Sequence, residues 1–292
     1  MKFAAIDIGT NSIRLLIAEY DGEKMHKLVN KLRTPRLGEG INAGMINEQA
    51  QIRACQVLVE YKELIDEYQA DCRAVATSAI RDAENKDQFL EKVKKESGIE
   101  IDVINGAQEA KLSYLGIANG LKQPPSNLLA VDIGGGSTEL VFGTENDVTE
   151  YNSINLGAVR LKESWKEDLE AMRSAASDKI QTVIADANPK MLVGVGGTIT
   201  TLAAIEQSLE EYQPEKIQNY ELHSADIKKM LKRLSELELA ERKKVVGLSK
   251  DRADIIIPGI IILLEVMNNS QLEKIKVSDF GILEGIIYNK FK

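Results

Sequence analysis

One stretch of this chain occurs twice. Ala5-Ile6-Asp7-Ile8-Gly9-Thr10-Asn11-Ser12-Ile13-Arg14-Leu15 is echoed 125 residues later by Ala130-Val131-Asp132-Ile133-Gly134-Gly135-Gly136-Ser137-Thr138-Glu139-Leu140. Each copy is an apolar run ending in aspartate, a small polar turn and a second apolar run, which reads as a β-hairpin. Solenoid repeats recur every ~20–50 residues, so a single recurrence at this spacing predicts a duplicated domain. The length of 292 residues agrees, because domains of ~100–200 residues would make two.

The turns suggest a chemistry. Glycines at 134, 135 and 136 expose backbone N–H groups without Cβ interference, and successive N–H groups make a concavity for phosphate oxygens. Ser137 belongs to the same turn, and Gly9, Thr10, Asn11 and Ser12 form its counterpart in the first copy. Asp132 and Glu139 supply hard oxygen ligands for magnesium, with Asp7 a third candidate. Two competing phosphate loops are excluded. No Gly-Lys pair occurs, so there is no Walker A loop, and Ile199 stands where a dinucleotide fingerprint starting at Gly194 needs its third glycine. A third turn around Gly196, Gly197 and Thr198 follows an apolar strand and opens a helix. It either binds phosphate at the helix N-terminus or lets strand and helix pack closely.

Composition narrows the function classes. Hydrophobic residues make up 43% and charged residues 28%, ordinary globular usage. Thirty-seven basic against forty-five acidic residues leave a net charge of −8, which disfavours a general nucleic-acid binder. Two cysteines, Cys55 and Cys72, and two histidines, His26 and His223, are too few for a structural zinc site or a multi-histidine metal phosphohydrolase. The cysteines read as free thiols in a reducing cytosol. The N-terminal apolar stretch is too short for a signal peptide, and the run Ile255 to Met267 contains Pro258 and Glu265 and falls short of the ~18 residues a membrane span needs. That run reads as a buried helix, and the expected location is cytoplasmic, with no membrane or nucleic-acid partner.

A coarse pattern gives an α/β chain. Strands are expected at 3–8, 13–20, 72–76 and 100–104, and helices near 47–69, 85–97, 158–187, 198–208, 224–237 and 253–267. Thr77 and Asn105 then fall at strand ends, where such sheets place ligands. Gln123-Pro124-Pro125-Ser126-Asn127 reads as a connector between domains.

The two hairpins, together with Ala76-Thr77-Ser78-Ala79-Ile80-Arg81-Asp82-Ala83-Glu84-Asn85, Glu109-Ala110-Lys111-Leu112-Ser113-Tyr114-Leu115-Gly116, Leu156-Gly157-Ala158-Val159-Arg160-Leu161, Gly196-Gly197-Thr198, Arg252-Ala253-Asp254-Ile255-Ile256 and Ser278-Asp279-Phe280-Gly281-Ile282-Leu283-Glu284-Gly285, resemble the exopolyphosphatase/guanosine pentaphosphate phosphatase family in its short form. The resemblance spans nearly the whole chain. It implies two duplicated actin-like (ribonuclease H-like) lobes with a cleft between them, the first formed by 1–122 plus 279–292 and the second by 123–278. It also implies a last helix, about 281–292, packed on the first lobe, and a homodimer, although the apolar C-terminal segments read as intrachain core.

The resemblance maps the family's catalytic glutamate onto Glu109. The implied activity is magnesium-dependent release of terminal orthophosphate from inorganic polyphosphate, by a water that Glu109 activates. Another divalent cation in place of magnesium, and stimulation by a monovalent cation, stay open. Alternatives are guanosine pentaphosphate 5′-phosphohydrolase, an actin-like ATPase or kinase, and a non-catalytic polyphosphate or alarmone sensor. Arg81 either grips phosphate oxygens in a bidentate manner or pairs with Asp82. Arg14 and Arg160 either line the cleft or brace the lobes. The nine basic residues between 226 and 252, set against five acids, are a polyphosphate track or a solvated helix face, and none is named as a site.

Overall fold

The computed structural model describes residues 1–22, 24–121, 127–144, 148–184 and 188–291. It divides into two compact units, Met1–Gly116 with Ile282–Lys292, and Ile117–Gly281. Residues 123–126 of the expected connector lie outside the described residues.

The first unit contains β1 (Lys2–Ile8), β2 (Ile13–Tyr20), β3 (Met25–Arg33), α1 (Glu48–Tyr68), β4 (Asp71–Ala76), α2 (Ser78–Arg81), α3 (Lys86–Ser97), β5 (Ile101–Val103) and the start of α4 (Gly106–Gly120). The sheet order is β3-β2-β1-β4-β5, antiparallel across the first three strands and parallel from β1 to β5. Phe3 to Ile8 of β1 are all buried, as expected of a central strand covered on both faces. The period of two assigns the faces. Ala4, Ile6 and Ile8 join the core that contains Leu58 and Tyr61 of α1 and Phe89 of α3. Phe3 and Ala5 face a second cluster with Leu112 and with Ile282, Ile286 and Ile287 of the C-terminal helix Ile282–Phe291. That helix approaches closely: a Cβ at Gly285 would lie 1.8 Å from Leu112 O. Its buried Glu284 accepts from Lys27 Nζ at 2.7 Å. Strand β3 was not legible in the sequence, since lysine, histidine and asparagine interrupt its apolar positions and most of it is exposed.

The second unit holds β6 (Leu128–Ile133), β7 (Thr138–Gly143), β8 (Val148–Ile154), α5 (Ala158–Trp165), α6 (Leu169–Ile184), β9 (Met191–Val195), α7 (Gly197–Glu206), α8 (Pro214–Ile217), β10 (Glu221–His223), α9 (Ser224–Ser235), α10 (Leu239–Arg242), α11 (Ile256–Ser270) and β11 (Lys274–Val277). Its sheet order, β10-β11-β9-β6-β7-β8, repeats that of the first unit with one strand added at the β10 edge. The α/β fold with two duplicated lobes is therefore present. One expected helix is corrected: 158–187 is not continuous but breaks into α5 and α6 at Lys166, which adopts φ 52, and residues 185–187 lie outside the described residues. Helix α11 is the buried apolar helix expected around 255–267. Pro258 sits in its first turn, where a missing N–H costs no intrahelical bond. Among the described residues no helix is long and apolar enough to cross a membrane.

Candidate functional site

In the second unit the glycine turn is held by the helix that follows the sheet. Gly134 N–H donates to Ser137 O at 3.0 Å, closing the hairpin. The orphan amides at the N-terminus of α5 then take the turn's carbonyls: Ala158 N–H donates to Gly134 O (2.9 Å), and Val159 and Arg160 N–H donate to Gly135 O (2.8 and 3.0 Å). Arg160 Nε donates to Gly136 O at 2.9 Å, so Arg160 braces the turn of its own unit. Gly157 permits this approach, because a Cβ there would stand 2.4 Å from Gly135 C and O. In a planar trans peptide the N–H points opposite the C=O. The amides of Gly136 and Ser137 therefore face away from α5, and with that of Gly135 they donate to no described residue. Three such amides in sequence form an anion cradle.

Asp132 and Glu139 are directly opposite one another on the β6–β7 ladder and so share a face of the sheet. Glu139 is buried, and its Oε1 accepts from Ser153 Oγ at 2.8 Å. Like charges at opposed positions repel, so this donor set fits a hard cation. Among the described residues no group of three or more His, Cys, Asp or Glu side chains is gathered. Magnesium is compatible with that, since it keeps several waters and takes one or two carboxylates plus phosphate oxygens.

The third turn adjoins Asp132. Gly196 has φ 92, and a Cβ there would lie 2.9 Å from Asp132 Oδ1. A Cβ on Gly197 would lie 1.4 Å from Arg252 Nη1, so the Arg252 guanidinium rests on the N-terminus of α7. Two positive groups meet there, an arrangement suited to an anion. The sequence places Arg252 in a segment that carries the family resemblance but does not single it out as a site residue, because it stands in a run of nine cations. Its neighbour in that run, Arg242, is not surface charge at all. It is buried and donates to Leu234 O, Leu237 O and Ala253 O.

In the first unit the equivalent turn is closed in the same way, by Gly9 N–H to Ser12 O at 3.0 Å. The ladder position equivalent to Asp132–Glu139 is occupied by Asp7 and Arg14, and here Arg14 Nε and Nη2 both donate to Asp7 Oδ2 (3.0 and 2.7 Å). Arg14 thus neutralises its own hairpin's aspartate. Thr10 Oγ1 meets Ser78 Oγ at 3.0 Å, tying the turn to α2. Asn11 Nδ2 is buried without a hydrogen-bond partner.

Helix α2 brings Arg81 to Glu109. Arg81 Nη1 donates to Glu109 Oε2 at 2.9 Å and to Ile104 O at 3.3 Å, while Asp82 is more distant, 3.6 Å from Arg81 Nε. Glu109 sits in the first turn of α4 and is 8% exposed. Reciprocal bonds between Asn105 and Gln108 (Asn105 N–H to Oε1 at 3.0 Å, Gln108 N–H to Oδ1 at 2.9 Å) fix that turn.

Residues 16–292 match the Ppx/GppA phosphatase family. Exopolyphosphatase 2 of Mycobacterium tuberculosis is 32% identical over 310 residues, 98% of this chain and 97% of that protein. A bifunctional 3-dehydroquinate synthase/phosphatase of Fusobacterium nucleatum is 33% identical over 97% of this chain, which spans only 46% of that longer protein. Among solved structures, an exopolyphosphatase from Cytophaga hutchinsonii superposes with a TM-score of 0.92 at 31% identity, covering 100% of this chain and 98% of that one. The Aquifex aeolicus Ppx/GppA family member gives 0.85 at 36% identity, covering 99% and 97%.

Proposed function

The chain belongs to the Ppx/GppA phosphatase family, and from that premise we propose that it is an exopolyphosphatase, releasing terminal orthophosphate from inorganic polyphosphate. The observation that carries the reading is the second hairpin, where two opposed carboxylates stand at the foot of a turn whose outward amides have no described partner. Asp132 and Glu139 would hold magnesium, and magnesium bound to phosphate neutralises charge that otherwise repels a nucleophile. Asp7 is left out of that pair because Arg14 already balances it.

The chain's own groups supply the rest. The amides of Gly135, Gly136 and Ser137, those of Thr10, Asn11 and Ser12, and the Gly196-Gly197-Thr198 turn with Arg252 are donors for phosphate oxygens. Glu109 takes a proton from the attacking water, whose oxygen bonds to the terminal phosphorus. The bridging P–O bond breaks, and its electron pair leaves with the shortened chain. Arg81 holds the Glu109 carboxylate in place and adds positive charge beside it.

Guanosine pentaphosphate offers the same anhydride chemistry, so the test compares the two substrates. Orthophosphate release is measured from long-chain polyphosphate and from guanosine pentaphosphate across a magnesium titration. The expected result is a higher kcat/KM for polyphosphate and dependence on the metal. Release confined to guanosine pentaphosphate would replace this reading with the alternative.

A further inference from the structure

The turn of the first unit is also gripped on its carbonyl side, by the loop that follows β3. Leaving β3, the chain passes over the turn: Arg36 N–H donates to Asn11 O at 3.1 Å and Gly38 N–H to Thr10 O at 2.7 Å. The approach is so close that a Cβ on Gly38 would lie 2.0 Å from Thr10 Cγ2. Arg36 has φ 56, a left-handed conformation unfavourable for a non-glycine residue, so the surroundings must enforce it. They do. Leu37 is buried in the core, Arg53 of α1 donates to Pro35 O (2.9 Å) and Glu39 Oε2 (2.8 Å), and Asn47 Nδ2 donates to Glu39 O (3.1 Å).

The duplication supplies an internal control. A shift of 125 carries Thr10 and Asn11 onto Gly135 and Gly136, whose carbonyls accept from the start of α5 and from Arg160. Gly157 lies against Gly135 as Gly38 lies against Thr10. Arg36-Leu37-Gly38 and Gly157-Ala158-Val159 share no sequence pattern, and one is a loop where the other opens a helix. Both halves nevertheless satisfy the same two carbonyls, which is hard to attribute to accidental loop packing.

We propose that Arg36–Gly38 is a positioning strap for the first turn. By occupying the Thr10 and Asn11 carbonyls, it fixes the two peptide planes so that the Asn11 and Ser12 amides point the other way. The buried Asn11 Nδ2, which has no partner, is then an additional donor for a phosphate oxygen of the polyanion. The strap itself touches no substrate and acts through the turn. Its ligand rests on the phosphatase reading, whereas its geometry does not.

The test is a cycle between Gly38→Ala and Thr10→Ser, with tripolyphosphate as substrate. The alanine methyl collides with Thr10 Cγ2, and the serine removes that carbon while keeping the hydroxyl that meets Ser78. Gly38→Ala is expected to raise KM roughly tenfold or more with a smaller change in kcat, and to do so by less than about twofold in the Thr10→Ser background. An unchanged KM, or the same rise in both backgrounds, overturns the strap. Amide exchange of Arg36 and Gly38 in the unsubstituted protein needs no substrate: slow exchange is expected, and exchange as fast as in open loops overturns the strap whatever the activity. Protected amides in a protein that neither binds nor hydrolyses tripolyphosphate would uphold the strap and defeat the polyphosphate reading instead.

Discussion

Arg81 Nη1 donates to Glu109 Oε2 at 2.9 Å, so an arginine read from the sequence as a phosphate ligand and a glutamate read as the base form one ion pair. The pair is sheltered, with side-chain exposures of 21% and 10%. An arginine has donors to spare beyond that bond, so pairing with Glu109 is compatible with the phosphate-binding reading of Arg81.

The pair should behave as a unit. Arg81→Ala and Glu109→Gln are each expected to lower kcat/KM, and the double variant should be less impaired than the product of the two, with a coupling of roughly 1–3 kcal/mol. Strict additivity in steady-state assays would separate the two residues.

Asp132 and Glu139 predict a trade between metal affinity and stability. Asp132→Asn removes one of two opposed charges, so unfolding without metal should be unchanged or up to about 1 kcal/mol less favourable. The same substitution should raise the magnesium concentration for half-maximal activity, with partial rescue at excess metal. Magnesium titrations beside metal-free denaturation check both. Lower stability with an unchanged magnesium midpoint would mean that Asp132 serves the turn alone.

Lys27 and Glu284 predict an effect on folding. Lys27→Met leaves the 4% exposed Glu284 without its ammonium partner and should destabilise the protein by roughly 2–3 kcal/mol in denaturant titration. Adding Glu284→Gln should recover a good part of that loss, because no buried charge is then stranded.

Cys55 sets an alkaline limit. Burial, and secondarily the Glu96 carboxylate, push its thiol up to about 11 from an ordinary value of 9.0. Its protonated form is therefore favoured in the fold. The contribution is fully present below about pH 9 and lost as pH rises towards 11, since the unfolded chain releases the proton first. Iodoacetamide at pH 8 should spare Cys55 until the protein is unfolded, as read by mass spectrometry.

What the sequence carried, and what it withheld, follows from how each feature is encoded. The hairpins were legible because alternating apolar residues and glycine runs report directly on strand and turn. The duplication was legible because it preserved those residues. The break at Lys166 was not, since a lysine at positive φ has no compositional signature. Within the basic run charge alone did not reveal that Arg242 staples three carbonyls inside the unit, whereas Arg252, which lies on Gly197, belongs to a segment that carries the family resemblance. The strap escaped for a different reason: its bonds run from backbone amide to backbone carbonyl, and only the spacing Gly38-x-Gly40 after Pro35 hints at a constrained loop.

The most direct measurement is orthophosphate release from long-chain polyphosphate by Glu109→Gln, with polyphosphate binding followed in parallel. Glutamine keeps the size of the side chain and removes the proton acceptor, so turnover should fall by about 10²–10⁴-fold while affinity stays within about twofold. Turnover close to that of the unsubstituted enzyme would contradict the account.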